Sequence, residues 1–368
     1  MNILLITQED IIAGSTLSVS YLARGLKQRG HTVVVVARGG SFLYELLKDS
    51  DIIFKALTIR SRFDRNAIRQ LVDLVKEYQI QIINAQSSKD RYITVFAKFF
   101  YRLPIVLIHT RRQVAMSVGG FIQNIIYVKG TDKIVAVSEG VKQSLVSKKI
   151  REGHIQVIYN GTPKEKYQQI DPKITQGLKE KFSISPDDIV IGSIARRKKQ
   201  DQLLRSLDLL GRPVKVILVG IQEDDELRKI RSEFNFLHRV YYEGELDSKT
   251  ALNYYRVFTC TVLCSVSEGL SQSLLESMYL GVPVIATAAA GNIDLIKHEY
   301  NGLLFRDGNI EALANCIKTI HSNPNLYKNL VSGGITTAND TFSIDRTVRT
   351  YEEFYSSLLS SRKINIHD

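Results

Sequence analysis

Two glutamates stand eight residues apart in residues 267–276, which read SEGLSQSLLE. Glu268 directly follows an apolar strand pattern, and Glu276 lies in a run with helical periodicity. Between them, on either side of the apolar Leu270, lie small or polar residues: Gly269 allows close backbone approach, and Ser271, Gln272 and Ser273 present backbone amides at a helix start. Amides at a helix N-terminus attract anions. The stretch therefore predicts an anion site suited to a diphosphate.

Both glutamates also have purely structural interpretations. Glu268 could be a solvated charge in a surface loop. Ser273 and Glu276 fit the S-x-x-E capping box, in which the serine is the N-cap and the glutamate accepts from backbone N–H groups of its own helix. On that alternative, the carboxylate of Glu276 stabilises the start of a helix instead of contacting a ligand. Residues 267–276 taken alone leave both alternatives open.

A run of four cations separates the strand pattern of residues 188–195 from the helical pattern that follows it: Arg196, Arg197, Lys198 and Lys199. Cations at a helix N-terminus oppose the helix dipole, so this arrangement is unfavourable unless an anion is nearby. The run therefore favours an anionic ligand over a merely basic surface. Gly220 ends another strand pattern, residues 214–220, and is expected to turn the chain near the same ligand.

A second cluster follows the strand pattern of residues 104–109. His109, Arg111 and Arg112 are expected to contact an acceptor or a phosphate group, although a histidine at a strand end is usually structural. Gly14 precedes a helix and serves either to close its loop or to allow close approach of a ligand. The acidic run of residues 223–226 is interpreted as helix N-terminal charge, and Cys260 and Cys264 as buried thiols, so no metal site is expected.

Short runs of β-branched residues alternate with helical patterns throughout the chain, which is typical of parallel α/β sheets. The strand patterns of the first half are residues 3–7, 32–37, 51–56, 80–85, 104–109, 133–137 and 155–159, and those of the second half are 188–195, 214–220, 239–244, 260–265, 282–287 and 302–305. Two tandem Rossmann-like domains are therefore predicted, with the boundary in the polar residues 160–173. Ligands bind beyond the carboxyl ends of such strands, where the loops described above lie.

Charge divides the 368-residue chain unevenly. Residues 1–164 hold 24 Lys and Arg against 12 Asp and Glu, a net charge of +12, and residues 165–368 hold 25 against 26, a net of −1. The basic half predicts an anionic partner such as a membrane surface or a phosphorylated acceptor, and aromatics mix with cations in residues 97–112. No nucleic-acid-binding module is recognisable, so nucleic acid is not expected. The chain contains no run of eighteen apolar residues and begins without a signal-peptide pattern, which predicts a cytoplasmic protein that could lie peripherally on a membrane.

The stretch EGLSQSLLE, residues 268–276, resembles the E-x7-E signature of retaining glycosyltransferases of the GT-B fold and of family 4. Four further segments resemble motifs of that family in the same order: residues 14–33 (GSTLSVSYLARGLKQRGHTV), 133–146 (KIVAVSEGVKQSLV), 155–163 (IQVIYNGTP) and 283–305 (PVIATAAAGNIDLIKHEYNGLLF). The resemblance covers most of the chain. It implies an acceptor-binding domain of residues 1–164, a nucleotide-sugar-binding domain of residues 165–341 facing it across a cleft, and a helix of about residues 342–359 that crosses back to the first domain.

The resemblance also implies roles for single residues. Glu268 would bind hydroxyls of the transferred sugar, Glu276 would bind the ribose of the donor, and the amides of residues 269–273 would hold the diphosphate. Arg196 and Lys198 would stabilise the leaving diphosphate, with Lys199 as the alternative lysine. No metal or other cofactor is implied, and the acceptor would be a glycan or a lipid-linked glycan of the bacterial cell surface. A GT-B epimerase or phosphorylase is the nearest alternative, whereas a dinucleotide-dependent oxidoreductase should show G-x-G-x-x-G, which the sequence lacks.

Overall fold

The computed structural model describes residues 1–9, 14–112, 125, 128–289 and 291–364. The chain forms two compact units, one made of Met1–Pro163 with Ser343–Asp368 and the other of Lys164–Phe342. The first boundary lies one residue before the one placed from the sequence. Each unit is an α/β sandwich around its own parallel sheet.

The first unit contains a seven-stranded parallel sheet with the strand order β3-β2-β1-β4-β5-β6-β7. Its strands are β1 (Asn2–Ile6), β2 (Thr32–Ala37), β3 (Ile53–Ala56), β4 (Ile82–Ala85), β5 (Val106–Arg111), β6 (Lys133–Ala136) and β7 (Ile155–Val157). Its helices are α1 (Gly14–Gln28), α2 (Phe42–Leu47), α3 (Arg65–Glu77), α4 (Ser88–Phe100) and α5 (Glu139–Val146), with a 3-10 helix at Glu152–His154. The central strands are apolar runs because helices cover both faces of the sheet, and each face has its own buried core.

The C-terminal helix, Ile344–Ile364, belongs to this first unit and packs against α1. Tyr351 and Tyr355 are fully buried in the core, and the amide of Asn84 donates to the Tyr355 hydroxyl at 2.8 Å. Thr162 and Ser343 form an isolated parallel β-bridge where the chain leaves and re-enters the unit. A side chain at Gly161 would collide with the backbone of Ser343, since its Cβ would lie 2.1 Å from the carbonyl oxygen. The sequence placed the start of this helix two residues too early and its end five residues too early.

The second unit contains a six-stranded parallel sheet with the order β10-β9-β8-β11-β12-β13. Its strands are β8 (Val190–Ile194), β9 (Lys215–Val219), β10 (Arg239–Glu243), β11 (Cys260–Leu263), β12 (Val284–Thr287) and β13 (Leu303–Phe305). Its α-helices are α6 (Pro172–Lys181), α7 (Gln200–Ser206), α8 (Asp225–Ser232), α9 (Ser248–Tyr254), α10 (Gln272–Tyr279), α11 (Asn292–Leu295), α12 (Ile310–Ser322) and α13 (Pro324–Asp340). Short 3-10 helices lie at Lys164–Gln169, Asp208–Leu210 and Tyr255–Val257.

In each sheet, successive strands are added first on one side of the first strand and then on its other side, so the strand order reverses at one point. That point lies between β1 and β4 in the first unit and between β8 and β11 in the second. The loops after two such neighbouring strands diverge to opposite faces and leave a crevice at the carboxyl edge. In the second unit, the loop after β8 carries the four cations and the loop after β11 carries Glu268. Among the helices of the described residues, none is both long and apolar enough to span a bilayer.

Candidate functional site

Lys198 and Glu268 meet at the reversal point of the second sheet. The Lys198 ammonium forms an ion pair with Oε1 of Glu268, and the two side chains are 24% and 16% exposed. The backbone N–H of Lys199 donates to the Cys264 carbonyl at 3.3 Å, which ties the loop after β8 to the end of β11. Burial and the neighbouring Arg196 guanidinium lower the pKa of Lys198 to about 8. The crevice thus holds a carboxylate and a cation within reach of one ligand.

The other lysine of the run points elsewhere. The Lys199 ammonium lies 2.5 Å from Oδ2 of Asp307, whose other oxygen accepts from the Gln202 amide at 2.8 Å. Lys199 is also the N-cap residue of α7, so its backbone turns at the point where the helix begins. The two adjacent lysines therefore pair with carboxylates on different loops, and only Lys198 contacts Glu268.

The two arginines of the run also differ. Arg197 donates to Asp224 at 2.5 Å and to Glu226 at 2.6 Å. Asp224 is itself the N-cap of α8 and accepts from the Leu227 N–H at 2.8 Å, which agrees with the interpretation of the acidic run as helix N-terminal charge. Arg196 has an exposed side chain, and its backbone carbonyl accepts from the amide of Gln200 at 2.9 Å.

Glu276 is held by two groups that lie far from it in the sequence. Lys166, in the 3-10 helix Lys164–Gln169, pairs with Oε1 of Glu276, and the side chains are 9% and 13% exposed. The Tyr255 hydroxyl lies 3.0 Å from Oε2 and 3.0 Å from the Ser273 carbonyl oxygen, so these two acceptors share its single proton. Burial and the charge of Glu276 hold the pKa of Tyr255 well above its usual value, so the hydroxyl remains a donor. Reasoning from the sequence missed Lys166 and Tyr255, because neither belongs to a recognisable motif.

The capping-box alternative for Glu276 is wrong. Helix α10 begins at Gln272, and its N-cap is Ser271, whose hydroxyl accepts from the Leu274 N–H at 3.4 Å. The third helical position is therefore Leu274, and Glu276 lies two residues further along. Ser273 is inside the first turn and its hydroxyl contacts that of Ser271 at 3.1 Å. From the sequence alone, either Ser271 or Ser273 could be the N-cap, and in the structure the N-cap is Ser271.

The loop that carries Glu268 is supported by the loop after β12. The Gly291 N–H donates to the Glu268 carbonyl at 3.1 Å, and a Cβ at Gly291 would lie 1.9 Å from the Gly269 carbonyl oxygen. The buried amide of Asn292 donates to the Ser265 carbonyl at 3.1 Å and to the Thr287 carbonyl at 3.0 Å. Both residues fall in the quoted segment 283–305, but no role for them could be assigned from their type alone.

Gly220 closes the site from the side of β9. Its φ of +92° is strained for residues other than glycine, and a Cβ there would lie 3.0 Å from the Ala195 carbonyl oxygen. Its N–H is shared between the carbonyls of Glu243 and Gly244, at 3.0 and 2.9 Å. Gly220 thus turns the chain after β9 directly behind the cationic loop.

In the first unit, β5 extends to Arg111, so His109 lies inside the strand and is 1% exposed. Burial and the guanidinium groups of Arg91 and Arg111 hold the pKa of His109 well below its usual value, which makes this histidine neutral. Arg112 donates to Oε1 of Gln86 at 2.7 Å. These three arginines gather at the carboxyl edge of β4 and β5, and the sequence had not pointed to Arg91.

The remaining first-unit prediction concerns Gly14, which is the first residue of α1 and accepts from the Ser18 hydroxyl at 2.7 Å. Ala13, which precedes Gly14, and Gln113, which follows Arg112, lie outside the described residues. Gly14 follows β1, Arg91 follows β4, and Arg111 and Arg112 lie at the end of β5, so all of them belong to the carboxyl edge around the reversal point of the first sheet.

Comparison with known families covers both units. A family model described as "Glycosyl transferases group 1" matches residues 178–336, and one described as "Glycosyltransferase Family 4" matches residues 12–166. Together the two matches span most of the chain. The chain belongs to the glycosyltransferases. Lys198, Glu268 and Glu276 fall within the group 1 match.

Relatives of this glycosyltransferase are distant. It is 26% identical over 241 residues to an uncharacterized glycosyltransferase of Methanocaldococcus jannaschii, covering 63% of this chain and 60% of that protein. It is 25% identical over 319 residues to the capsular polysaccharide biosynthesis glycosyltransferase CapM of Staphylococcus aureus, covering 80% of this chain and 82% of CapM. The crystal structure of Anabaena HepE in complex with UDP is similar with a TM-score of 0.81 at 21% identity, covering 97% of this chain and 100% of HepE. That likeness confirms the predicted GT-B architecture of two open parallel-sheet domains.

Within the described parts of the glycosyltransferase, no group of three or more His, Cys, Asp or Glu side chains is arranged to hold a metal ion. Cys260 and Cys264 are buried thiols, and burial raises the pKa of each to about 12. Cys316 is free and partly buried. These thiols remain protonated at neutral pH and therefore act as small apolar groups in the core.

Proposed function

We propose that this glycosyltransferase transfers a sugar, with retention of configuration, from a nucleotide-diphosphate-sugar donor to a hydroxyl of a glycan or lipid-linked acceptor in the synthesis of a cell-surface polysaccharide or lipopolysaccharide. The observation that carries the proposal is the meeting of Glu268 and Lys198 at the reversal point of the second sheet, with Glu276 one helix turn beyond Gln272. A carboxylate suits the sugar and ribose hydroxyls, whereas the cation suits the diphosphate between them.

At the sugar end, Glu268 accepts hydrogen bonds from hydroxyls of the transferred sugar and fixes its orientation. Lys198 and the exposed Arg196 stabilise the negative charge that develops on the diphosphate as the glycosidic bond breaks. Donor binding would move the Lys198 ammonium from Glu268 towards the phosphates, because a diphosphate carries more charge than one carboxylate. This exchange would free the carboxylate for the sugar.

At the nucleotide end, Glu276 accepts from the ribose hydroxyls. The first turn of α10 directs backbone N–H groups away from the helix, and these groups would bind the diphosphate. Ser271 and Gly269 shape the approach, since the first begins the helix and the second packs its carbonyl against Gly291. The similarity to a structure of HepE with UDP supports a uridine nucleotide as the first donor to test.

Retention of configuration rests on the E-x7-E resemblance. In that reaction the acceptor hydroxyl attacks from the face that the diphosphate leaves, and a donor phosphate oxygen takes the hydroxyl proton. No carboxylate of the chain becomes a covalent nucleophile. The positive charge needed at the diphosphate comes from Arg196, Lys198 and the helix N-terminus, so we propose that the reaction needs no metal ion.

A donor screen tests the central proposal. Binding of UDP-, GDP- and ADP-sugars is measured by thermal shift, and slow hydrolysis of each donor is followed without acceptor, with and without EDTA. One donor class should stabilise the protein and be hydrolysed in both conditions. Glu268→Gln should lower the turnover of that donor by about 100-fold without weakening nucleotide binding, since it removes the charge at the reacting sugar and leaves Lys198 available to the diphosphate. If none of the donors binds, the proposal fails.

For the acceptor, we propose that the first-unit arginines bind a negatively charged group such as a phosphate. Arg111 and Arg112 are partly exposed at the carboxyl edge of the first sheet, whereas Arg91 is only 2% exposed there, and the buried His109 is neutral. A guanidinium group binds phosphate and carboxylate through two parallel hydrogen bonds. The basic surplus of the first 164 residues would attract such an acceptor from a distance.

We also propose that the first unit docks on an anionic membrane through an exposed aromatic surface. Phe63, Phe99 and Phe100 are 66%, 75% and 64% exposed. Phe96 stacks on Phe63 with ring centroids 4.7 Å apart and on Phe100 at 5.8 Å, which makes one continuous apolar patch across the start of α3 and the end of α4. Exposed patches of this kind mark interaction sites.

Exposed arginines surround the aromatic surface: Arg60, Arg62, Arg65 and Arg102. Aromatic rings beside cations fit the interface of a bilayer that contains anionic lipids, which is where a lipid-linked acceptor would be presented. Flotation with anionic and with neutral vesicles tests this idea. Phe99→Ser with Phe100→Ser should abolish binding to anionic vesicles, and Leu237→Ser, at an 89% exposed residue of the second unit, is the control. Equal failure of the wild type to bind both vesicles would refute docking.

A further inference from the structure

Lys166 is an internal partner of the candidate ribose-binding carboxylate. Its ammonium pairs with Oε1 of Glu276, and only 9% of its side chain is exposed. The 3-10 helix Lys164–Gln169 carries it, and the next residue, Tyr167, stacks on Tyr279 of α10 with ring centroids 3.9 Å apart. Because the stacked tyrosines join this segment to the helix of Glu276, the position of the ammonium is fixed relative to the carboxylate.

Tyr255 completes the arrangement from the opposite side. Its buried hydroxyl shares its proton between Oε2 of Glu276 and the Ser273 carbonyl, each at 3.0 Å, so each carboxylate oxygen has one protein donor beside it. An ionised carboxylate has about four lone-pair positions on its two oxygens. Lys166 and Tyr255 therefore leave about one position on each oxygen, which is what two neighbouring hydroxyl groups require.

We propose that Lys166 is a positioning residue that orients Glu276 for the two ribose hydroxyls of the donor and thereby sets the preference for ribonucleotides over nucleotides that lack those hydroxyls. The proposal rests on the proposed function. Lys166 acts through Glu276 and does not contact the diphosphate. The chain thus provides a lysine for each glutamate of the E-x7-E stretch, Lys198 for Glu268 and Lys166 for Glu276.

A direct electrostatic role is the alternative to be distinguished, because any lysine near a nucleotide attracts its phosphates. The two roles differ in what they depend on. A positioning role is lost when the ribose hydroxyls are removed from the ligand, whereas attraction to phosphate is unaffected by that removal. Comparing UDP with 2′,3′-dideoxy-UDP therefore separates the two roles without changing the charge of the ligand.

The experiment measures dissociation constants of both ligands by calorimetry for the wild type, Lys166→Met, Lys166→Arg and the control Lys164→Met. Lys164 lies in the same 3-10 helix with an exposed side chain. If GDP or ADP binds instead of UDP, the matching dideoxynucleotide replaces the second ligand. The wild type should prefer UDP by about tenfold or more, since a hydrogen bond to a charged group contributes about 1.5–3 kcal/mol.

Lys166→Met should lose about tenfold in affinity for UDP and stay within about twofold of the wild type for the dideoxynucleotide, so the preference disappears. Lys166→Arg should restore most of it, and Lys164→Met should behave as the wild type. Equal losses for both ligands, or no loss for either, would overturn the inference while the wild type still binds UDP. If the wild type binds none of the three nucleotides, the proposed function fails first.

If Lys166→Met does not fold, Tyr255→Phe provides the second measurement. It removes the other donor to Glu276 without changing the net charge. It should reduce the preference for UDP over the dideoxynucleotide by about three- to tenfold, because one hydrogen bond to a charged group is lost. An unchanged preference would overturn the inference that these donors orient the carboxylate.

Discussion

Replacing Gly291 by alanine should inactivate the donor site through one steric contact. Gly291 has φ −66° and ψ −10°, which alanine adopts without strain. The added Cβ, however, would lie 1.9 Å from the Gly269 carbonyl oxygen and 3.1 Å from that of Glu268. Because a Cβ atom essentially never approaches a backbone oxygen within 3.0 Å, the two loops must separate by about 1.1 Å.

The separation of the two loops affects stability and catalysis to different extents, because it displaces the backbone of Glu268. Overpacking of a well-filled contact costs about 1–3 kcal/mol of folding free energy. Catalysis is more sensitive, since misplacing a positioning group by about 1 Å can lower the rate by about 100-fold. The Gly291 N–H also donates to the Glu268 carbonyl at 3.1 Å, so the displacement acts on the backbone of the carboxylate itself.

The assay compares kcat/KM for the donor found in the screen with the thermal midpoint of unfolding. Gly291→Ala should lower kcat/KM by about 100-fold and the stability by about 1–3 kcal/mol. Gly177→Ala is the matched control in the same unit, because Gly177 lies in α6, is exposed, and would present its Cβ to open space. That control should keep full activity and gain about 0.5–1 kcal/mol of stability.

The steric reasoning would be refuted by a Gly291→Ala variant that keeps kcat/KM within about threefold of the wild type, since the loops would then separate without consequence for Glu268. A loss of activity that only matches the fraction of unfolded protein would also refute the steric reasoning. Circular dichroism at the assay temperature distinguishes a folded, inactive variant from an unfolded one.

Two further predictions address the charges. Lys198→Met should weaken nucleotide binding by about tenfold, because it removes a cation from the proposed diphosphate site. Arg197→Met should cost about 1 kcal/mol of stability and leave nucleotide affinity unchanged, because the Arg197 guanidinium is bound by Asp224. Equal nucleotide affinities of the two variants in calorimetry would contradict this. Burial raises the pKa of Asp90 to about 7 from an ordinary 3.8. Between these values the folded state binds a proton that the unfolded chain releases, so this carboxyl makes stability fall as pH rises from about 4 to 7, by at most about 1.4 kcal/mol per pH unit. Asp90→Asn should remove that slope in urea titrations, and an unchanged slope would assign it to other groups.

The alternation of apolar strands and helices predicted both sheets because strands covered on two faces must be apolar along their whole length. The predicted strand β3 began two residues too early, at Asp51, because a polar residue before an apolar run belongs equally well to the preceding turn. The strand order could not be derived from the sequence alone. It is set by which helices cross over which face, and that depends on packing between distant segments.

The candidate site was partly predictable for a similar reason. Glu268 follows a strand directly, and its loop was therefore placed correctly at the carboxyl edge. Nothing in the sequence could separate Lys198 from Lys199, because the turn at the N-cap of α7 sends adjacent side chains to different loops. Lys166 was missed because its carboxylate lies 110 residues away, and such pairs leave no local pattern.

The first unit is assembled from two segments separated by the whole of the second. Tyr351 and Tyr355, which fill one face of its core, are synthesised after residue 342. Domains usually fold as they emerge, with the N-terminal one first. Here the order is reversed: the second unit is complete before the first has its last helix. A nascent chain therefore carries a complete second unit while one face of the first sheet, packed by α1 and α2, still lacks the helix that holds Tyr351 and Tyr355, and any early termination leaves that part of the core open to aggregation and proteolysis.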